Sequence, residues 1–155
     1  MKAPAEVIMT RRDGNGKILS QRKFKNVTTT VLRSELIQKM IQDDAASQEL
    51  GKVKYGVVGS DATPETESDT TLGNETHRVA ISDTEQTGPM LEITLVFSGA
   101  WTGTIYEVGV VGGVGATATK DTGSLYLRSA IPAGETKQTV DESISFVWTV
   151  NLADA

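Results

Sequence analysis

Apolar and polar residues alternate along most of this chain, and a period of two predicts β-strands. The clearest run is 143–152, in which every second residue is apolar and would face one side of a strand: Ile144, Phe146, Trp148, Val150 and Leu152. The run 103–113 is rich in β-branched residues and glycine and is predicted to be a central strand. Shorter strand-like runs lie at 52–59, 75–81, 91–97 and 124–131. About five or six antiparallel strands predict a mainly β fold, a β-sandwich of jelly-roll type.

The N-terminal part of the chain shows a hairpin pattern followed by a helical one. Runs 6–12 and 17–25 flank a glycine-rich sequence, 13–16, that tolerates positive φ and predicts a β-hairpin. Apolar residues then recur at helical spacing, which predicts an amphipathic helix over about 29–42 with a threonine cap and a stripe packed on the core. The stripe consists of Leu32, Leu36, Ile37, Met40 and Ile41. We therefore expect a hairpin arm over 1–26 and a single β-sandwich domain over 27–155 that includes the helix.

Charge is unevenly distributed between the hairpin and the rest of the chain. The net charge is −5, yet residues 1–25 contain seven basic and two acidic residues. A basic segment on an acidic body can bind nucleic acid or an acidic protein surface. No recognition helix or aromatic interleaving is present, so the pattern favours a protein partner and no nucleic acid is expected. Trp101 lies in a turn, where it would cap the sandwich or meet a neighbour. The candidate interface comprises Arg11, Arg12, Lys17, Arg22, Lys23, Lys25 and Trp101.

The composition narrows the classes of function. The chain has no cysteine, which excludes disulfides, thiolate catalysis and Cys-ligated zinc. It has neither an apolar run long enough to span a membrane nor a hydrophobic signal core at its start, so no membrane association or secretion is expected. We expect a soluble protein that is made inside a cell.

One carboxylate interrupts the predicted central strand. Strict alternation places Glu107 on the same face as Ile105, with Tyr106 on the opposite face. An unpaired buried charge costs several kcal/mol, so Glu107 needs a cationic or hydrogen-bonding partner. Two arginines, Arg78 and Arg128, also lie within predicted strands. The predicted structural charge set is therefore Arg78, Glu107 and Arg128, with Glu107 paired to one of the two arginines.

No motif in the chain indicates catalysis or a cofactor. The glycines of 109–115 lack the adjoining lysine and the helix that a phosphate-binding loop requires. His77 is the only histidine and matches no zinc spacing, and a Gly-x-Ser-x-Gly nucleophile elbow is absent. The long polar segment 60–74 is predicted to be an exposed loop of the kind that is often functional or interfacial. Oxygen ligands between Asp61 and Asp69 leave calcium as an alternative, without an EF-hand pattern. We expect no enzymatic activity, no cofactor and no metal.

Several short motifs occur in an order that resembles tailed-bacteriophage structural proteins. They are Tyr55-Gly-Val-Val-Gly59, Asp69-Thr-Thr-Leu72, Glu75-x-x-Arg78, Glu107-x-Gly109 and Leu125-x-Leu-Arg128, with Lys137 beyond them. This order resembles the attachment regions of tail fibres, tail-tip and baseplate proteins, and small accessory virion proteins. The resemblance covers roughly 52–152 and implies a non-enzymatic, β-rich module that docks on a particle and oligomerises. It also implies that the charge set fixes strand register or a subunit contact.

The expected function is that of a virion structural subunit on the tail tip, baseplate, fibre attachment region or capsid exterior. Such a protein would be made in the host cytoplasm and located in the virion. Its partners would be copies of itself, with a trimer as one option, and other virion structural proteins. One alternative is a decoration or cement protein that stabilises the capsid head. A second is a carbohydrate-binding β-sandwich module that uses Trp101, Tyr106 or Tyr126 as a stacking platform.

Overall fold

The protein is described by a computed structural model covering residues 5–42, 44–45 and 47–151. Over these residues it forms a nine-stranded, antiparallel, curled sheet with one α-helix, so the fold is mainly β as the alternation predicts. The strands are β1 (Ala5–Arg12), β2 (Ile18–Thr28), β3 (Val53–Gly59), β4 (Glu75–Ala80), β5 (Asp83–Thr87), β6 (Met90–Phe97), β7 (Gly103–Gly112), β8 (Ser124–Lys137) and β9 (Ser143–Asn151). Helix α1 (Thr30–Ile41) and a 3-10 turn, Ser47–Glu49, lie between β2 and β3.

Strands from both ends of the sheet contribute side chains to one core. The order is β4-β3-β7-β8-β2-β1-β9-β6-β5, in which we call the first four strands the first half and the other five the second half. The halves are in close contact, because a Cβ on Gly56 of β3 would overlap the side chain of Leu95 in β6. Side chains from both halves fill one hydrophobic core, including Trp148, Tyr126, Phe97, Phe146 and Met9.

The N-terminal hairpin is part of the sheet and does not form a separate arm. β1 and β2 pair across the turn at 13–17, where the Asp13 carboxylate accepts hydrogen bonds from the backbone N–H groups of Asn15 and Lys17. The two strands lie between β8 and β9, and Val7 and Met9 are completely buried in the common core. A two-stranded ribbon is marginally stable alone, so burial in the sheet stabilises it. The predicted division at residue 26 is not seen.

Helix α1 lies where the sequence predicts, but its apolar stripe is only partly covered. Thr29 is the N-cap, with its side chain accepting a hydrogen bond from the Leu32 amide. Leu32 packs against the core, whereas Ile37, Met40 and Ile41 are 60%, 84% and 77% exposed. The predicted burial of the whole stripe is therefore wrong. Helical spacing identifies an apolar face but does not determine the length of sheet available to cover it.

Two segments outside the strand-like runs of the sequence are strands. The acidic segment Asp83–Thr87 forms β5, which pairs with β6 in a hairpin. β8 continues through Pro132–Lys137, because Ala133 and Gly134 take φ angles of 63° and 69° that bend the strand without ending it. In the pairing with β7, Ile105 lies opposite Glu135 and Glu107 opposite Ala130, so β8 bulges here.

The bulge also changes the faces predicted by strict alternation. Ile105 belongs to the main core, while Glu107 lies on the other side of the sheet. Tyr106 is partly exposed and lines a surface groove. The prediction that Ile105 and Glu107 share a face is wrong, because a register shift between them interrupts the period of two.

Candidate functional site

Glu107 lies on the outer face of the first half, beneath segment 60–74. Strand β7 holds it between β3 and β8, and its side chain is fully buried. Gly59 of β3 is its direct cross-strand neighbour, and a Cβ at that position would overlap Oε1 of Glu107. Glycine at position 59 therefore provides the space in which the carboxylate lies.

Arg128 is the cationic partner of Glu107. In the register of β7 and β8 it lies opposite Gly109, diagonally across from Glu107. Its Nη2 and Nε donate to Oε2 of Glu107 at 2.8 and 3.2 Å, and its side chain is 3% exposed. A charge-assisted pair of this kind is stronger than a neutral hydrogen bond and is needed here because both groups are buried.

Arg78 is not part of this pair, although the sequence leaves it as an equal candidate. It binds Glu75 within its own strand, with Nε–Oε1 at 2.7 Å and Nη2–Oε2 at 2.9 Å. Its Nη1 also donates to the carbonyl oxygens of Thr117 and Thr122 at 2.7 and 3.0 Å. The structure thus divides the predicted charge set into two separate ion pairs, each of which holds a different loop.

The Glu107–Arg128 pair fixes both ends of segment 60–74. The carboxylate of Glu107 accepts hydrogen bonds from the amides of Asp61, Gly73 and Asn74 at 3.3, 2.9 and 2.9 Å. Arg128 donates to the carbonyl oxygen of Thr63 at 3.1 Å and to the carboxylate of Asp69 at 2.7 Å. Because one buried pair holds the start, middle and end of the segment, these contacts set its conformation.

Further contacts make this segment a fixed cover over the sheet. Glu65 accepts a hydrogen bond from the Ala130 amide at 3.1 Å, and the Thr30 amide donates to the Glu67 carbonyl oxygen at 2.8 Å. Leu72 is 6% exposed and joins a second apolar cluster formed with Val57, Val111 and Leu125. We call the surface beneath the segment the covered face. The prediction of an exposed loop holds for many of its side chains but misses this anchoring.

The electrostatics of the segment favour charged forms. Burial opposes ionisation of Asp69, but hydrogen bonds from Thr66 and from Arg128 outweigh it and lower the pKa of that carboxyl. Burial likewise opposes the charged form of Arg128, yet Glu107 and Asp69 raise its pKa. Hydrogen bonds from Thr63 lower the pKa of Asp61. These groups therefore remain an ion-pair network at neutral pH.

The arrangement has little capacity for acid–base or metal chemistry. The two oxygens of Glu107 accept five hydrogen bonds, and a carboxylate offers about four lone-pair directions. A depression of about 330 Å³ beside Arg128 is lined mainly by residues of the segment, including Asp61, Ser68 and Asp69. Among the residues that the structure describes, no group of three or more His, Cys, Asp or Glu side chains could hold a metal ion. The site is best suited to hold backbone in place.

The basic residues of the hairpin fall into two groups. Arg11 and Arg22 form ion pairs with Glu135 of β8 at 3.1 and 2.9 Å, and Arg12 donates to Oγ of Ser145 at 3.1 Å. The other basic residues of the predicted interface are exposed; they are Lys17, Lys23 and Lys25. The arginines thus bind within their own chain and the lysines are exposed.

Trp101 and Lys137 form a third anchor. The Trp101 ring stacks on His77, with centroids 4.3 Å apart, and so caps the fold from its turn. Lys137 is completely buried, and its ammonium donates to the carbonyl oxygens of Gly99, Trp101, Thr139 and Val140 at 2.7–3.0 Å. Sequence reasoning missed this role. The only sequence signal is that Lys137 is the one cation after Arg128.

Comparison with family models, curated proteins and solved structures finds no match to this chain. No helix among the described residues has the length and apolar character needed to cross a membrane. A proposal of function therefore depends on the contacts of this chain's own residues and on the order of its motifs.

Proposed function

We propose that the protein is a non-enzymatic structural subunit of a tailed-phage virion, which associates with copies of itself and docks on the particle. The observation that supports this most directly is that buried charged side chains hold loops in place. Glu107 and Arg128 hold segment 60–74, and Lys137 joins two turns through four carbonyl oxygens. Each of these buried charges stabilises a loop conformation.

Fixed loops suit a protein whose task is assembly. Binding surfaces are often formed by loops on a rigid framework. A loop that is already ordered loses less conformational entropy when a partner binds, so association is stronger for the same contact area. A catalytic carboxylate, in contrast, needs an oxygen that is free to contact substrate. Both oxygens of Glu107 are already hydrogen-bonded, which supports assembly over catalysis.

The proposal includes a finer description of the fold, a β-sandwich of jelly-roll type. Its two layers would be the two halves of the curled sheet. The shared core and the close approach of Gly56 to Leu95 support this arrangement. An experimental structure that shows an open sheet, with the two halves apart, would contradict it.

Analysis of purified particles tests the proposed function. Phage particles from cells carrying this gene would be purified on density gradients and quantified by mass spectrometry. We expect this chain at a fixed ratio to the major capsid protein, because a structural subunit occupies a set number of positions. Absence from particles that contain their other structural proteins would contradict the proposal. Immunogold labelling would then distinguish a tail position from a decoration or cement role on the head.

A carbohydrate-binding module is the second candidate, and one surface feature favours it. A groove of about 480 Å³ is lined by Tyr106, Phe24, Pro64 and Pro132 together with Lys25, which combines apolar rings with a polar group. Of the other aromatic residues considered, Tyr126 is buried and Trp101 stacks on His77. A glycan array compares the wild-type chain with Tyr106→Ala. Binding that is lost in the variant would favour this candidate, and no binding by the wild type would contradict it.

A further inference from the structure

The outward side of the second half carries basic residues at one edge and acidic residues at the other. Cross-strand pairing places Lys23 and Lys25 of β2 at one edge, and Asp83 and Glu85 of β5 at the other. All four residues are exposed. No described helix or loop packs over this side, since α1 contacts β8 and segment 60–74 lies over the first half. We call this surface the open face.

The middle of the open face is partly apolar and also carries Glu6 of β1 and Glu92 of β6, one strand on either side of β9. Its outward residues on β1, β9 and β6 include Ile8, Val147 and Thr94, which are direct cross-strand neighbours, and Val96, which is 38% exposed. β9 is the central strand of the five, so the lysine edge and the acidic edge lie at equal distances on either side of it. The two sides of the open face about β9 therefore differ in the sign of their net charge: one carries Lys23, Lys25 and Glu6, and the other carries Asp83, Glu85 and Glu92.

The acidic edge contains a like-charge contact that a partner could relieve. Glu85 of β5 lies directly opposite Glu92 of β6, and directly opposite like charges destabilise a strand pair. Glu85 and Glu92 also line a shallow depression of about 120 Å³ together with Met90 and Thr87. A lysine side chain placed there would neutralise the repulsion and cover apolar surface with its methylene groups.

We propose that the open face binds the open face of a second copy of this chain, about a two-fold axis parallel to β9. Rotation about that axis exchanges the two edges. Lys23 and Lys25 of one copy therefore face Asp83 and Glu85 of the other, and the same contacts occur again on the opposite side of the axis. The middle residues of the two copies meet at the axis. The same rotation places Glu6 of one copy near Glu92 of the other; the pairing of Glu6 with Lys23 at 3.1 Å reduces this like-charge contact, and the lysine–acid contacts at the two edges outnumber it.

The size of the surface predicts a weak, salt-sensitive dimer. Five strands at a spacing of about 4.8 Å give a width of about 19 Å, and about six residues at 3.4 Å each give a length of about 20 Å, so the flat area is roughly half of the ~800 Å² that each partner contributes to a standard interface. Charge attraction must then supply much of the specificity. Because exposed charges are screened over about 10 Å at 0.1 M salt and about 3 Å at 1 M, we expect dissociation at high salt.

Charge reversal tests the proposal by sedimentation velocity at low salt. The lysine-edge variant is Lys23→Glu/Lys25→Glu, and the acidic-edge variant is Asp83→Lys/Glu85→Lys. We expect the wild type to sediment as a dimer and each variant alone to bind itself at least about tenfold more weakly, because like charges then face each other. A 1:1 mixture of the two variants is expected to restore a dimer, since every facing pair at the two edges is again opposite in charge.

Controls separate this result from a general effect of charge or misfolding. Lys39→Glu/Lys120→Glu makes the same charge change away from the open face, on α1 and on the 113–123 loop, and is expected to dimerise like the wild type. Circular dichroism and thermal unfolding verify that all the variants fold. Unchanged association of both edge variants, or a wild-type chain that remains monomeric at low salt, would overturn the proposal.

The two-fold contact rests on the self-association that the proposed function includes. Different experiments show whether the contact or the virion role is wrong. A wild-type trimer or ring would overturn the two-fold contact while leaving the virion role intact. Absence from purified particles would contradict the virion role and leave the dimer result unaffected.

Discussion

The two outer faces of the curled sheet use charged residues in opposite ways. On the covered face, Glu107 and Arg128 are 0% and 3% exposed and bind each other and the backbone of segment 60–74. On the open face, Lys23 and Glu6 form a pair of similar length, at 3.1 Å, but their side chains are 64% and 53% exposed. Both are therefore ion pairs between a basic side chain and a carboxylate, and they differ in how much of each side chain is exposed to solvent.

This difference in solvent exposure gives the two faces different roles. Buried charges cannot be solvated by water, so each must keep all its partners, and the backbone that supplies them becomes fixed. Exposed charges are solvated in the free protein and lose little when they change partners. The covered face is therefore a source of stability, and the open face is a surface on which association can be regulated by charge and salt. The following predictions rank substitutions on this basis.

The largest effect is expected for Glu107→Ala. The substitution leaves a buried guanidinium without its carboxylate and three backbone amides without an acceptor, which should lower the free energy of unfolding by about 3–5 kcal/mol. Urea unfolding at pH 7 and high salt, where dimers are dissociated, measures it. The matched control is Glu85→Ala on the open face, expected to change stability by less than about 0.5 kcal/mol. Equal stabilities of the two variants would show that burial does not distinguish the faces.

A somewhat smaller loss is expected for Lys137→Met. Methionine retains most of the buried volume but removes the donors to four carbonyl oxygens. Unsatisfied buried acceptors cost about 1–3 kcal/mol, so the free energy of unfolding should fall by about 2–3 kcal/mol. Lys23→Met is the control and should be nearly neutral at high salt, where dimers are dissociated. A Lys137→Met chain as stable as the wild type would mean that water or a rearranged turn replaces the ammonium.

Asp69→Asn is expected to weaken the anchoring of segment 60–74 by about 1–2 kcal/mol, because it removes a charged partner of Arg128. The same residue predicts a pH dependence. Its pKa in the fold is lowered from the ordinary value of 3.8, so the stability that it contributes is present above about pH 4 and is lost as the pH falls through the folded pKa. Unfolding free energies measured between pH 6 and pH 3 should fall more steeply for the wild type than for the variant.

The control for this pH dependence is Asp83→Asn, which changes an exposed carboxyl on the open face. At high salt, where dimers are dissociated, it should leave the acid sensitivity of the wild type unchanged. Identical pH profiles for the wild type and Asp69→Asn would show that Asp69 does not link protonation to folding.

The smallest effect is expected for the Lys23–Glu6 pair. A double-mutant cycle with Lys23→Ala and Glu6→Ala should give a coupling energy below about 0.5 kcal/mol in the monomer, because both side chains are mostly in water. Thermal or urea unfolding at high salt, where dimers are dissociated, measures it. A coupling above about 1 kcal/mol would place this pair with the buried anchors and remove the contrast between the faces.

The sequence predicts most of the strands and the need of Glu107 for a partner. It does not predict contacts that depend on the register between strands. The period of two identifies most strands, and a lone acid in an apolar strand indicates that Glu107 needs a partner. It does not identify Arg128 as that partner, because this requires knowing that Arg128 lies opposite Gly109. The role of Lys137 depends on carbonyl oxygens from two turns, and no residue type signals where backbone oxygens converge. The exposure of Ile37 in α1 likewise depends on what lies beside the helix.

The link between β4 and β5 has a consequence for aggregation. These consecutive strands lie at opposite ends of the strand order, and the amides of Ile81 and Ser82 bind carbonyl oxygens of Lys54 and Thr94, one in each half. The two ends of the sheet are therefore joined along part of their length. Unpaired strand edges are templates for misassembly, and charged residues on an edge oppose it. Because the two ends meet at residues 81–82 and β5 carries acidic residues, we expect the chain to resist strand addition and fibril formation at high concentration.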